Sequence, residues 1–323
     1  MELLFDSRVF GLMRQSVVSA GLALAGEEAL LRLWQVADPA ARARFRLLVM
    51  GLAALLPLAL LVIPGADRRP ILLDTSLFGE LRLAGLRLDA ALALLMAVSG
   101  AAFLAQELWP PLRQALRGRR PPAAAAPELD AEVAGLAARF AVAPPAVLVT
   151  EDHSAYAGVR GLRRPRLHLS TGALALLDET ERRGAVAHEL AHLRRRDTLV
   201  GAGVAVLRVL VFFNPFALLA FRRAVQDLEL AADDLARRTV PGAALGLAGG
   251  LAKFCRAGES PGAAARRGRL AAAVETIESA AHRRLIEERI ERLLWPDSAA
   301  VAPGRLRFTF AALGLGAVLC LIA

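Results

Sequence analysis

The chain has 323 residues, of which 56% are hydrophobic, and it carries a formal charge of +9. Its mean hydropathy of +0.45 is too high for an ordinary soluble enzyme, so membrane spans are expected. The positive charge is almost wholly arginine, clustered at the ends of apolar runs without aromatic interleaving, which argues against a nucleic-acid-binding protein. Cys255 and Cys320 are the only cysteines and neither lies near His188 and His192, so no disulfide framework or cysteine-type zinc site is indicated.

Apolar runs at both ends of the chain predict a helical membrane part. Three spans are expected within residues 1–120, at about residues 9–31, 47–63 and 88–108. The first run contains Arg14, so an interfacial helix is the alternative there. A final span is expected within residues 305–323. The arginines that flank these runs place the segment after Trp109 in the cytoplasm, because positive residues accumulate on that side.

A proline- and alanine-rich linker at residues 121–127 leads into a folded domain predicted to cover residues 121–304. Helical spacing of apolar residues predicts a helix from Glu128 to Phe140. Three β-rich stretches then predict strands, the last two forming a hairpin around Gly161. These strands are Ala146–Thr150, Ala155–Val159 and Arg166–Ser170.

The predicted hairpin offers a strand edge close to the functional motif. An extended peptide can add to such an edge through main-chain hydrogen bonds. We therefore predict that Ala155, Tyr156 and Ala157 bind substrate. A purely structural hairpin is the alternative.

The stretch from Asp178 to Asp197 contains the strongest chemical signal. Asp178 and Glu181 have capping-box spacing, so one helix is expected from there to Arg196. On it His188 and His192 lie four residues apart, on one face, where both can reach one metal ion. Two histidines with a carboxylate and water suit tetrahedral zinc better than harder cations, so about one Zn2+ per chain is predicted.

Glu189 stands between these histidines in an HExxH pattern. A carboxylate in this position can orient and deprotonate a metal-bound water. The alternative is a helix with ordinary solvated polar residues. Because two of the five histidines of the chain fall in this motif, we favour the metal site.

A second acidic motif follows an interrupted apolar run. The run Thr198–Phe221 is broken at Asn214 and Pro215, and a helix is predicted from Leu218 to Arg238. On this helix Glu229 could supply the third ligand and Asp233, four residues later, could hold a ligand in place. All ligands of one ion must share a compartment, so the apolar run is predicted to be a two-armed hairpin that does not cross the membrane.

After this helix the sequence predicts a loop and a packing helix. A loop is predicted at residues 258–268, where it would be the most accessible site for self-cleavage. An apolar helical stripe within Leu270–Leu294 is predicted to pack on the peptidase core, with His282 on the surface.

The combination HELAHLRRRD, FNPFALLAF and QDLELAADDLA, after three apolar runs and RPRLHLSTGAL, resembles the BlaR/MecR membrane metallopeptidases. These proteins are gluzincins that cleave regulatory proteins in signal transduction. The resemblance implies His188, His192 and Glu229 as zinc ligands and Glu189 as general base. It further implies that Asp197 and Asp233 support the ligands.

The implied protein is mainly α-helical, with a multi-span membrane part and an α+β zinc metallopeptidase domain of gluzincin type. It would lie in the cell's inner membrane with its active site facing the cytoplasm. Protein or peptide substrates, the lipid bilayer and a repressor-type regulator or separate sensor subunit are the implied partners, and homodimer formation stays open. Because the chain shows no penicillin-binding domain, β-lactam sensing is not carried over. Two alternatives remain: an HtpX- or CAAX-protease-like processing or quality-control enzyme, and an inactive zinc-binding membrane transducer.

Overall fold

The computed structural model describes residues 8–62, 82–83, 86–117, 127–161, 163–258, 283–295 and the single residue 314. The chain divides into two compact units. The first unit comprises Met1–Gly118, Ala202–Asp227 and Ala300–Ala323, and the second comprises Arg119–Gly201 and Leu228–Ala299.

The first unit is helical. Its long helices are α1 (Arg8–Leu33), α2 (Pro39–Val62) and α3 (Leu88–Arg117), with a short antiparallel pair of strands, β1 (Arg82–Leu83) and β2 (Leu86–Arg87), before α3. Helices thus occupy the three predicted spans as far as these are described. Among the described residues, no helix combines the length and the hydropathy needed to cross a bilayer. The final predicted span lies outside the described residues, apart from residue 314.

The apolar run after the HExxH motif forms two helices, α7 (Asp197–Leu210) and α8 (Pro215–Thr239), so the predicted interruption is confirmed. Asn214 starts α8, because its side-chain oxygen accepts the amide protons of Phe216 and Ala217 over 3.2 and 3.1 Å. The amide nitrogen of the same side chain donates to the Ser16 carbonyl over 2.9 Å. Asn214 is fully buried, so it both caps α8 and ties it to α1.

A buried charge cluster fixes the first half of α8 within the first unit. Arg46 of α2 donates to Asp227 of α8 over 2.9 Å and to Glu27 of α1 over 2.6 Å. Arg42 contacts the other Asp227 oxygen over 2.6 Å. Each buried carboxylate has a guanidinium partner, as the cost of burying a charge requires.

The second unit combines a small mixed sheet with helices. The elements are α4 (Pro127–Arg139), β3 (Ala146–Thr150), β4 (Ala157–Arg160), β5 (Arg166–Ser170), α5 (Thr171–Leu176), α6 (Glu179–Arg195), α9 (Ala243–Gly258) and α10 (residues 283–294). The strand order is β3-β5-β4, with β3 parallel and β4 antiparallel to β5. β3 and β4 are therefore the two edge strands, and β4 is joined to β5 by the predicted hairpin turn.

The prediction that the second strand begins at Ala155 is wrong, because β4 begins at Ala157. The Tyr156 amide donates to the Ser170 hydroxyl over 2.9 Å, so a side chain replaces a main-chain partner at this end of the ladder. The other two predicted strands and the helix at residues 128–140 are confirmed within one residue.

One hydrophobic core holds the sheet against α4, α6 and α8. Leu167 and Leu169 of β5 are buried in it beside Val186 and Leu190 of α6. A smaller cluster joins α10 to α9 through Ile286, Leu293 and their partners, so the predicted packing of this stripe is confirmed for the part that is described. Residues 259–282, including His282 and most of the predicted loop, lie outside the described residues.

Candidate metal centre

Local sequence fixes the ends of α6, the helix that carries HExxH. The Asp178 side chain caps the first turn by accepting the Glu181 amide proton over 2.9 Å. The Glu181 side chain in turn accepts the Asp178 amide proton over 2.9 Å. The helix ends where Arg196 adopts a left-handed conformation with φ of 59°. The predicted capping box is therefore confirmed, and it fixes the residue at which α6 begins.

Two glycines bring α6 and α9 into close contact. A Cβ atom at Gly184 would lie 2.5 Å from the Leu247 amide nitrogen, and one at Gly246 would collide with the Thr180 carbonyl. Lys253 of α9 adds an ion pair of 2.5 Å with Glu181. α6 is therefore held against a second helix as well as against the sheet.

His188, His192 and Glu229 converge on one point. Each offers a ligand atom, and these atoms all lie within 4.8 Å of one another. The two Nε2 atoms are 3.1 Å apart, and the Glu229 oxygens lie 3.3 Å from His188 Nε2 and 3.4 Å from His192 Nε2. The helical spacing of four brings the histidines together, and α8 supplies the carboxylate, as the sequence predicts.

A carboxylate contacts the far nitrogen of each histidine. Asp233 lies 2.7 Å from His188 Nδ1, and Asp197 lies 2.9 Å from His192 Nδ1. A proton on Nδ1 can thus be donated to a carboxylate, which leaves the Nε2 lone pairs directed to the common point. Asp197 is itself held by Arg195 Nε over 2.9 Å. Both predicted supporting residues are in place to orient a ligand.

Glu189 lies between the ligand cluster and the sheet. Its Oε2 accepts the main-chain amide proton of Val159 in β4 over 2.8 Å. This contact fixes the carboxylate at the free edge of β4, where a bound extended chain would pass.

Arg289 of α10 is part of the cluster, although sequence reasoning missed it. Its Nε and Nη2 donate to the two oxygens of Asp233 over 2.7 and 2.8 Å. Its Nη1 lies 3.1 Å from Glu229 Oε2, and Nη2 lies 3.3 Å from His188 Nε2. The side chain is only 10% exposed. Arg289 therefore holds both the third candidate ligand and the carboxylate behind His188.

Opposite charges outweigh burial in this cluster. Burial alone would lower the pKa of His192, but hydrogen bonds to Asp197 and Glu229 raise it to about 10. Burial works to raise the pKa of Glu229, yet the hydrogen bonds and positive charge of His188 and His192 bring it well below its ordinary value. Glu229 is thus ionised at neutral pH, as a cation ligand must be.

The donor set fits zinc. Two imidazole nitrogens and one carboxylate match a catalytic zinc site, in which three protein ligands leave one coordination position open. The carboxylates behind the histidines match the supporting contacts that such ligands need. Harder cations prefer all-oxygen sites, which this cluster does not offer.

The three residues predicted to bind substrate differ in what their main chains can do. The Tyr156 carbonyl accepts the Ser170 amide over 2.9 Å, so its main-chain groups face β5. Hydrogen bonding alternates along an antiparallel pair, which turns the amide and carbonyl of Ala157 toward the free edge, as for Val159. Ala157 therefore has the groups that edge addition needs, whereas Tyr156 can contribute only its side chain. Ala155 precedes the strand.

Comparison with known proteins points to a peptidase. Residues 123–239 match the family described as BlaR1 peptidase M56. This stretch contains HExxH and the helix of Glu229 but not Arg289.

Several relatives named "Protease HtpX homolog" are similar to part of the chain. The protein from Acidiphilium cryptum is 38% identical over 121 residues, which is 36% of this chain and 42% of that protein. The protein from Thermococcus sibiricus is 36% identical over 84 residues, or 25% of this chain and 29% of that protein. A third, from Methylibium petroleiphilum, is 40% identical over 80 residues, which is 24% of this chain and 28% of that protein. The chain thus spans less than half the length of these relatives.

Proposed function

We propose that this protein is a zinc-dependent endopeptidase. The observation that carries the proposal is the convergence of His188 Nε2, His192 Nε2 and the Glu229 carboxylate on one point beside Glu189. The match to a peptidase family over residues 123–239 supports the same reaction class.

Each residue of the site has a separate role in the proposed reaction. His188, His192 and Glu229 would hold the ion, which would supply Lewis-acid activation of a water molecule. Glu189 accepts the proton of the attacking water and passes it to the leaving amine. Asp233 and Asp197 keep the histidines in their ligating orientation, and Arg289 holds Asp233 and Glu229 in turn.

The substrate lies along β4 as an extended chain. The amide and carbonyl of Ala157 face the free edge, and the Val159 amide fixes Glu189 one step farther along. A peptide that pairs with Ala157 passes directly in front of the general base. This arrangement suits cleavage inside a chain, because an open edge does not require a terminus.

The physiological setting belongs to the same proposal. We place the enzyme in the inner membrane, with its active site on the cytoplasmic side, because the composition is strongly apolar and arginines flank the apolar runs. There it would cleave regulatory or membrane-associated proteins in signalling, together with a repressor-type regulator or a separate sensor subunit.

An HtpX-like role in processing or quality control of membrane proteins is the second candidate. The relatives named as HtpX homologues favour it. An inactive zinc-binding transducer is the third, and Glu189 argues against it, since a structural zinc site has no use for a base beside an open position.

Comparison of cells that produce the wild-type protein with cells that produce Glu189→Gln tests the proposal. We expect peptide fragments with new termini only in the first sample, because the substitution removes the base and leaves the three ligands in place. Fragments of membrane-protein cytoplasmic segments in general would favour quality control, and fragments of one regulator would favour signalling. Identical fragments in both samples would refute the proposed function.

A further inference from the structure

Three residues form a distinct surface on the edge strand beside the metal centre. Ala157 and Val159 pack against the core, so Tyr156, just before β4, and Gly158 and Arg160 within it lie on the opposite face. We refer to these three residues as the edge platform. Tyr156 is the only tyrosine of the protein and is 38% exposed.

The edge platform is built around the glycine. The Arg160 Nε donates to the Tyr156 hydroxyl over 3.0 Å, and its guanidinium lies 5.0 Å from the centre of the ring. A Cβ atom at position 158 would collide with the Tyr156 hydroxyl. Glycine therefore lets the ring lie flat along the strand, and the ring in turn fixes the direction of the exposed guanidinium.

The edge platform is positively charged. Arg160 stands directly opposite Arg166 of β5, and like charges in this position destabilise a sheet. In the described part of the chain, no carboxylate lies within ion-pair distance of Arg160. Burial, followed by Arg160 and Arg166, lowers the pKa of His168 on the same face. The Arg160 guanidinium can therefore form an ion pair with a carboxylate of a ligand.

The edge platform also has a fixed position relative to Glu189. Val159, between Gly158 and Arg160, donates its amide proton to Glu189. A peptide added to β4 would place alternate side chains on the platform face, with the nearest Cβ atoms about 5 Å from those of β4.

We propose that the edge platform selects an acidic side chain at one position of the substrate. Arg160 would bind the carboxylate through its remaining guanidinium N–H groups, and the Tyr156 ring would pack against the methylene groups. This inference rests on the proposed peptidase function and names the substrate class of that site.

Binding to the full-length, zinc-loaded Glu189→Gln protein tests the inference without turnover. The probes are fluorescent ten-residue peptides of Ala, Thr and Val in which one Glu, Gln or Lys moves through every position. We expect about five-fold tighter binding for Glu than for Gln at a single position, since an exposed ion pair is partly screened. Adding Arg160→Gln should abolish the preference for Glu at that position, because it removes the guanidinium that binds the carboxylate.

The matched control is Arg166→Gln in the same background. It removes one positive charge from the same face, but one strand farther from the free edge, by about 4.8 Å, and it places no carboxylate opposite Arg160. We expect Arg166→Gln to keep the preference for Glu. Equal binding of all three peptide series, absence of binding, or an equal loss of the preference in Arg166→Gln would overturn the inference.

Cleavage by the wild-type protein separates the two proposals. Cleavage without an acidic preference leaves the peptidase function standing and overturns the edge platform as a selector. An acidic preference in binding without cleavage supports the edge platform and refutes the peptidase function.

Discussion

Arg289→Gln should loosen the metal centre from a position outside the HExxH motif. Arg289 makes two bonds to Asp233, of 2.7 and 2.8 Å, and one contact of 3.1 Å to Glu229. Removing one partner of a buried ion pair destabilises a protein by about 3 to 5 kcal/mol. Loss of contacts behind a ligand typically weakens metal binding about 10- to 100-fold.

We therefore expect Arg289→Gln to lower the free energy of unfolding by about 3 kcal/mol and to raise the zinc dissociation constant at least about ten-fold, which is about 1.4 kcal/mol. Chemical denaturation measures the first value. Competition with a chromophoric chelator measures the second.

Arg292→Gln is the matched control, because Arg292 lies one turn along the same helix. It donates to Asp234 over 3.3 and 3.0 Å, and Asp234 also has Arg237 and Arg238 within 4 Å. This variant should lose less stability and keep the wild-type zinc affinity. Zinc affinity unchanged in Arg289→Gln, or lowered equally in both variants, would refute the role given to Arg289.

Two further predictions concern packing and protonation. Gly246→Ala should destabilise the protein by about 1 to 3 kcal/mol in thermal unfolding, since its Cβ would collide with the Thr180 carbonyl. Gly135→Ala, whose Cβ would meet no neighbouring element within 4 Å, should be neutral or stabilising. Equal effects of the two substitutions would contradict the close contact of α6 with α9. In chelator-treated protein, the raised pKa of His192 stabilises the fold fully below pH 6.5, and this contribution should be lost as the pH rises to about 10. Unfolding temperatures of the chelated protein and of chelated His192→Gln should therefore converge over that interval, and a constant difference would contradict the Asp197 and Glu229 contacts.

Local signals predict the parts of the fold that depend on neighbouring residues. The capping box of Asp178 and Glu181, the strand Arg166–Ser170 and the break at Asn214 each follow from a few adjacent residues, and all three are confirmed. The start of β4 does not follow from adjacent residues, because the Tyr156 amide donates to the hydroxyl of Ser170, which is distant in sequence.

Arg289 was missed for a different reason. The helical stripe that contains it is recognisable by its apolar residues alone, and its carboxylate partner Asp233 lies 56 residues earlier. Such a pairing has no local period. The usable signal was the adjacent pair Asp233 and Asp234 on one helix, matched by Arg289 and Arg292, three apart, on another.

The most direct test of the account measures zinc content and peptide cleavage together in purified wild-type, Glu189→Gln and His188→Ala proteins. We predict about one zinc per chain and cleavage in the wild type, the same zinc content without cleavage in Glu189→Gln, and loss of both in His188→Ala. Cleavage by Glu189→Gln at the wild-type rate, or full zinc content in His188→Ala, would contradict it.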